Sequence, residues 1–283
     1  MRRQAVRDGD GRAWRDVVKM PFDDRMVKPR SRGLTMVIDK GMGISAAREF
    51  LDMASQYVDI VKLSFGTSAL YPEEILLRKT AMLGERGVFI CPGGTFAEVA
   101  LIQGQFSAYL DYAELVGFDW IEVSDGSIDL PDVDRQRAVY DARCRGFTVM
   151  TEVGKKHPDD GVSVEELARQ MVRDLETGAD YVVLEARESG RGVTIFDADG
   201  SVQQAGLRTI LSAVDESHRD RIIWEAPRAA QQREFVLGLG PNVNLGNVSP
   251  DEILAVEALR LGLRGDTLRE YFRLNGNPTM TDG

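Results

Sequence analysis

Residues 147–156 read FTVMTEVGKK, and the reading of this stretch decides the fold. An apolar, β-branched run rises to Glu152 and Val153, then a glycine and two lysines end it. A run this short and apolar, stopped by glycine, predicts a strand buried on both faces, as parallel sheets require. Its charge arrives only at the C-terminal end. Side chains alternate between faces in an extended chain, so Glu152 lies in phase with the apolar Met150.

The same design recurs along the chain. Further runs are LTMVID (34–39), DIVKLS (59–64), VFIC (88–91), WIEVS (120–124), YVVLEA (181–186), IIWEA (222–226) and VNLGN (243–247). Amphipathic stretches predict helices between them: Ser45–Ser55, Pro72–Glu85, Asp132–Cys144, Val164–Thr177 and Ala205–Ala213. Strands alternating with helices indicate a parallel sheet, and about eight such units indicate a (β/α)8 TIM barrel forming a single domain. A doubly wound open sheet is the alternative, because closure leaves no local signal. We expect a polar N-terminal arm over 1–25, the barrel over 26–270 and a C-terminal tail over 271–283.

Composition narrows the class of function. The 283 residues are 43% hydrophobic and 28% charged, as in an ordinary globular chain with a sizeable core. A formal charge of −10 and the lack of a long basic stretch argue against a nucleic-acid partner. No run approaches the ~18 apolar residues of a membrane span. The arginine-rich start lacks the apolar segment of a cleaved signal, so a cytoplasmic location is expected. Cys91 and Cys144 imply no disulfide framework and are expected to pack as small hydrophobes.

Charged and polar residues occupy defined phases of the strands. Asp39 is in phase with Thr35 and Val37, Lys62 with Ile60, and Glu122 with Trp120. Glu185 follows Val183, Glu225 follows Ile223, and Asn244 follows Asn242 in the same way. Taken as the inward phases, these put a ring of carboxylates, a lysine and an asparagine at the C-terminal mouth, where TIM barrels carry their chemistry. One such charge is compatible with a structural ion pair. Repetition over most strands points to a site.

Several motifs together resemble the phosphosulfolactate synthase family. They are KPRSRGLTMVIDKG (28–41), FGTSA (65–69), PGGT (92–95), EVSDGS (122–127), TEVGKK (151–156), EARESG (185–190), EAP (225–227), NLGN (244–247) and LRGDT (263–267). The resemblance spans roughly residues 28–267 and implies a TIM barrel that adds sulfite to phosphoenolpyruvate, with Mg2+, to give (2R)-phospho-3-sulfolactate. Fold transfers more safely than activity. Two alternatives stay open: a relative adding another nucleophile to phosphoenolpyruvate, and a non-catalytic, stress-related barrel.

The chemistry assigns candidate roles. Sulfite attack on the methylene carbon drives electrons onto the substrate carboxylate, and a proton must then reach the carbon bearing phosphate. Glu122, Glu152 and Glu185, from adjacent strands, are the candidate Mg2+ ligands, with Asp39 as a fourth. The resemblance favours Lys156 as proton donor; Lys62 is the rival, and Lys155 is the third lysine of the catalytic set. Lys155 lowers the pKa of Lys156 by crowding while Glu152 raises it, so the sign is open. Arg187 is the candidate phosphate fork. Lys40, Ser124, Gly190, Asn244, Gly246 and Asn247 complete the expected substrate-binding set. GMGISA (41–46) imitates a dinucleotide fingerprint, but the next strand ends in Lys62-Leu63-Ser64 without a ribose-binding acid, which argues against a nicotinamide cofactor. Expected partners are the small molecules phosphoenolpyruvate and sulfite, with no nucleic acid or membrane, and further copies of the chain in a homo-oligomer.

Overall fold

Strands β1 (Thr35–Asp39), β2 (Ile60–Leu63), β3 (Phe89–Cys91), β4 (Trp120–Val123), β5 (Thr148–Val153), β6 (Tyr181–Leu184), β7 (Ile222–Glu225) and β8 (Asn244–Val248) form one sheet. A computed structural model describes residues 13–14, 17–155, 162–187 and 189–275. The strand order is β3-β2-β1-β8-β7-β6-β5-β4, with every paired junction parallel. The β3 and β4 edges also face one another. There Asp119 N donates to Ile90 O at 3.2 Å, and Ile90 N donates to the Asp119 carboxylate at 3.2 Å. The sheet is a nearly closed barrel of the TIM type.

Helices α1 (Ile44–Ala54), α2 (Glu73–Gly84), α3 (Gly94–Ile102), α4 (Phe106–Leu115), α5 (Asp132–Cys144), α6 (Val164–Thr177), α7 (Gln204–Ala213), α8 (Glu216–Arg219), α9 (Ala229–Leu239), α10 (Ile253–Arg260) and α11 (Gly265–Asn275) surround it. α6 shows why these segments start where they do. Ser163 accepts from Glu166 N and the Glu166 side chain returns to Ser163 N, a capping box that satisfies two helix-end donors.

Two cores result. One lies between strands and helices and takes in Val37, Val61, Val149, Leu184 and Trp224. The other fills the barrel with Leu34, Met36, Ile60, Cys91, Trp120, Met150, Val183 and Ile223. Each large side chain in such layers stabilises the fold by about 1.5–3 kcal/mol relative to exposure. The inward phase of β1 is therefore Leu34 and Met36, and Asp39 belongs to the opposite face. This corrects the phase expected for β1.

The floor of the barrel is built from polar groups. Leu34 N donates to Asn244 Oδ1 at 2.9 Å, and Asn244 Nδ2 donates to Asp220 O and Ile222 O. Arg260, fully buried, donates to Pro241 O and Val243 O at 2.6 and 2.7 Å. The chain before β1 belongs to this floor: Arg25 pairs with Glu257 at 3.1 Å and Arg30 with Asp59 at 2.9 Å. The folded unit thus reaches past the boundary expected at residue 26, and α11 carries helix into the expected tail as far as Asn275. Cys144 is exposed, against the expectation of packing, while Cys91 is buried. Among the described residues no helix is long and apolar enough to cross a membrane.

Candidate active site

Two residues beyond each of five barrel-filling side chains, the strands turn charged. Ile60 leads to Lys62, Trp120 to Glu122, Met150 to Glu152, Val183 to Glu185 and Ile223 to Glu225. The strand period of two makes this one layer, stacked on the apolar one and facing a cavity of about 280 Å³. Ile38, Phe65, Gly93 and Asn247 line the same cavity.

Lys62 is the hub. Its ammonium lies 3.1 Å from Glu122 Oε2, 3.3 Å from Glu152 Oε2 and 3.2 Å from Glu225 Oε1. Burial by itself would lower the pKa of this lysine, but the charges of Glu122, Glu225, Glu152 and Glu185 overcome it and hold Lys62 well above its ordinary value. Lys62 is thus a fixed cation. Cys91, below Glu122, is no thiolate, because burial and the nearby carboxylate push its thiol up.

Glu185 and Arg187 flank the mouth beyond β6. Arg187 N donates to Glu185 Oε1, and Thr194 Oγ1 donates to Glu185 O at 2.7 Å. A side chain on Gly154 would stand 2.9 Å from Glu185 Cβ and 2.7 Å from Thr194 Cγ2, so glycine is required where the β5 loop passes this turn. Arg187 is held at φ +57°, a region costly for a non-glycine residue. Its Nε and Nη2 atoms are buried and make no hydrogen bond among the described residues, while its side chain lines the cavity. Asn247 repeats both features, with φ +52° and a buried Oδ1 that makes no hydrogen bond among the described residues.

The remaining expected residues divide sharply. Asp39 points to the helices and pairs with buried Lys79 of α2, while its Oδ1 accepts from Gly41 N and Met42 N. It stands apart from the three glutamates expected to share an ion with it. Asn244 lies in the floor, at the far end of the barrel from the cavity. Gly246 lies inside the wall, where an added Cβ would be 2.9 Å from Met36 and 3.1 Å from Ile223. Gly190 packs on α9, its carbonyl accepting from Gln231 Nε2 at 2.8 Å. Lys40 is exposed and does not line the cavity. Lys155 is tied to the loop after β4, donating to Asp125 O and Ile128 O at 2.8 Å each. Lys156 lies outside the described residues. Among the described residues no three His, Cys, Asp or Glu side chains are arranged to hold a metal ion.

Two participants escaped sequence reasoning. Glu225 was legible as inward but carried no assigned role, and it is the third carboxylate on Lys62. Glu98 of α3 is 2% exposed and accepts from Ser124 Oγ and from Ser127 N. A glutamate on a helix ordinarily faces solvent, and nothing in its local sequence marks it as buried.

A charged cavity at the carboxyl end of parallel barrel strands is where this architecture places its chemistry, and the chain is a TIM-barrel enzyme. It belongs to the (2R)-phospho-3-sulfolactate synthase family, whose model matches residues 23–266. It is 40% identical over 238 residues to the phosphosulfolactate synthase of Methanocaldococcus jannaschii, a match covering 83% of this chain and 94% of that protein. The Bacillus subtilis phosphosulfolactate synthase is 36% identical over 246 residues, covering 86% of this chain and 95% of that one. Among solved structures, 3-hexulose-6-phosphate synthase from Salmonella typhimurium is similar with a TM-score of 0.51 over 82% of this chain and 100% of that one. At 16% identity that likeness is one of fold alone.

Proposed function

We propose that the chain joins sulfite to phosphoenolpyruvate, giving (2R)-phospho-3-sulfolactate. The observation that carries this reading is Arg187. A guanidinium with buried, unbonded N–H groups facing a cavity is costly unless a ligand completes it, and phosphate matches its fork. The relatives named above support the particular reaction.

The sulfur lone pair forms the new bond to the methylene carbon. The carbon–carbon π electrons shift onto the substrate carboxylate, and a proton then adds to the phosphate-bearing carbon. Lys62, kept protonated by its carboxylates, is suited to neutralise developing charge but is a poor acid. The proton is assigned to Lys156, which regains it from solvent. Lys155 anchors the preceding turn to the β4 loop.

Mg2+ belongs to the proposal. Among the described residues, four carboxylates and two cations, Lys62 and Arg187, line the cavity, so anionic substrates would meet a negative surplus there. An all-oxygen donor set with surplus negative charge fits a hard divalent cation. Glu152 and Glu185, on the neighbouring strands β5 and β6, are the two carboxylates that would hold it, as Mg2+ commonly takes one or two carboxylates and completes its shell with water and substrate oxygens. When bound, the ion would supply positive charge to the carboxylate that receives the electrons.

The test is purified protein with phosphoenolpyruvate, sulfite and Mg2+, with products identified by mass spectrometry. The sulfonated phosphoester is expected, with turnover abolished by EDTA and restored by Mg2+. Full turnover after rigorous demetallation would remove the metal, and no adduct under any condition would remove the reaction.

A further inference from the structure

Behind the cavity wall, α3 and the tip of β4 come unusually close. A Cβ on Gly94 would lie 2.6 Å from Ser124 Cβ and 2.6 Å from Glu122 Oε1, so only glycine allows this approach. One turn further along the same face of α3 stands Glu98, as residues four apart must. Its carboxylate is fixed at both oxygens: Oε2 accepts from Ser127 N at 3.1 Å, and Oε1 accepts from Ser124 Oγ. Ser124 Oγ is in turn 3.2 Å from Glu152 Oε1 and accepts from Gly126 N at 3.3 Å. Ser124 is wholly buried and does not line the cavity.

We infer that Glu98 is a positioning residue for the Glu152 carboxylate and acts through the Ser124 hydroxyl. A serine rotates freely unless a partner fixes it, and it carries one proton for the two carboxylates beside it. Glu98, pinned by Ser127 N, fixes the hydroxyl. The serine oxygen then limits the swing of Glu152 on one side, while Lys62 holds its other oxygen at 3.3 Å. The inference rests on the reading of this cavity as the catalytic site.

Crystal structures and steady-state kinetics of Ser124→Ala, Glu98→Met, their double variant and Glu98→Gln test it. Outer partners of site residues typically contribute 10- to 100-fold. Ser124→Ala and Glu98→Met should each lower kcat by about that factor, with thermal midpoints close to wild type and the Glu152 carboxylate displaced. The double variant should be no worse than Ser124→Ala, because both changes break one chain of contacts. Glu98→Gln keeps an oxygen for the Ser124 proton and loses only the Ser127 contact, so it should retain most of kcat. An undisplaced Glu152 in Ser124→Ala, or single effects that multiply in the double variant, would overturn the inference. If Glu98→Met does not fold, Ser124→Ala and its crystal structure still decide. A wild type that forms no adduct refutes the proposed reaction, whereas the position of Glu152 in the variants tests Glu98 independently.

Discussion

Replacing Lys62 by methionine removes an ammonium from among Glu122, Glu152 and Glu225 while keeping most of the side-chain volume. At an effective dielectric of about 20, a contact of 3.2 Å such as that with Glu225 represents roughly 5 kcal/mol of gross attraction. Desolvation offsets most of that in the wild type. Removing one partner leaves the desolvation cost behind with nothing to balance it, and about 3–5 kcal/mol of stability should be lost. For a domain near this size the thermal midpoint should fall by roughly 6–20 °C. The folded-state pKa of Lys62 lies above its ordinary 10.5, so its contribution is fully present below that value and is lost as pH rises through the folded pKa. Thermal and urea unfolding of both proteins should therefore show a constant gap from pH 7 to about pH 9.5 that narrows above about pH 10.5. Equal stability at pH 7, or a gap unchanged at high pH, would refute the view of Lys62 as a cation held by its carboxylates.

Arg187→Lys keeps the charge and loses the fork. Losing a charge-assisted hydrogen bond of about 1.5–3 kcal/mol should raise the KM for phosphoenolpyruvate roughly 10- to 150-fold; an unchanged value in saturation kinetics would move the phosphate site elsewhere. Lys156→Ala should lower kcat by about 100- to 10,000-fold with substrate still bound, and Lys155→Ala should cost less. Near-normal turnover in Lys156→Ala would take the proton-donor role from it.

The barrel was legible because its strands are buried on both faces and end in charge. Five inward positions followed from that rule, since an acid two residues beyond Trp120, Met150, Val183 or Ile223 has only the mouth to face, and Lys62 joins them beyond Ile60. The rule failed on β1. Leu34-Thr35-Met36-Val37-Ile38 offers apolar or neutral residues on either face, so the register of Asp39 was undetermined until Lys79 of α2 appeared beside it. Asn244 was assigned the inward face correctly and the wrong end, because its strand begins at that residue and the asparagine satisfies floor carbonyls. Gly190 and Gly246 are each required by packing: an added Cβ would meet Gln231 at one and Met36 at the other. Glu98 was invisible for another reason: its burial depends on how closely α3 docks, which a single sequence does not encode locally.

The junction between β3 and β4 gives the barrel a direction of compliance. Seven joints of the hoop are pinned by strand ladders; at the eighth, among the described residues, a backbone bond between Asp119 and Ile90 and the Asp119 carboxylate stand where a ladder would be. A hoop yields at its softest joint, and this one lies directly beneath Gly93 and Glu122, on one side of the mouth. Breathing of the cavity should therefore be lopsided, widening toward α3 and α4 while the β5–β8 side stays stiff. Hydrogen exchange should find the amides of Ile90 and Asp119 less protected than those of Val182 and Leu245, and uniform protection around the ring would mean that the hoop has no soft joint. Entry of a second anion beside a bound one would then be governed by the elasticity of this wall, independently of the chemistry it encloses.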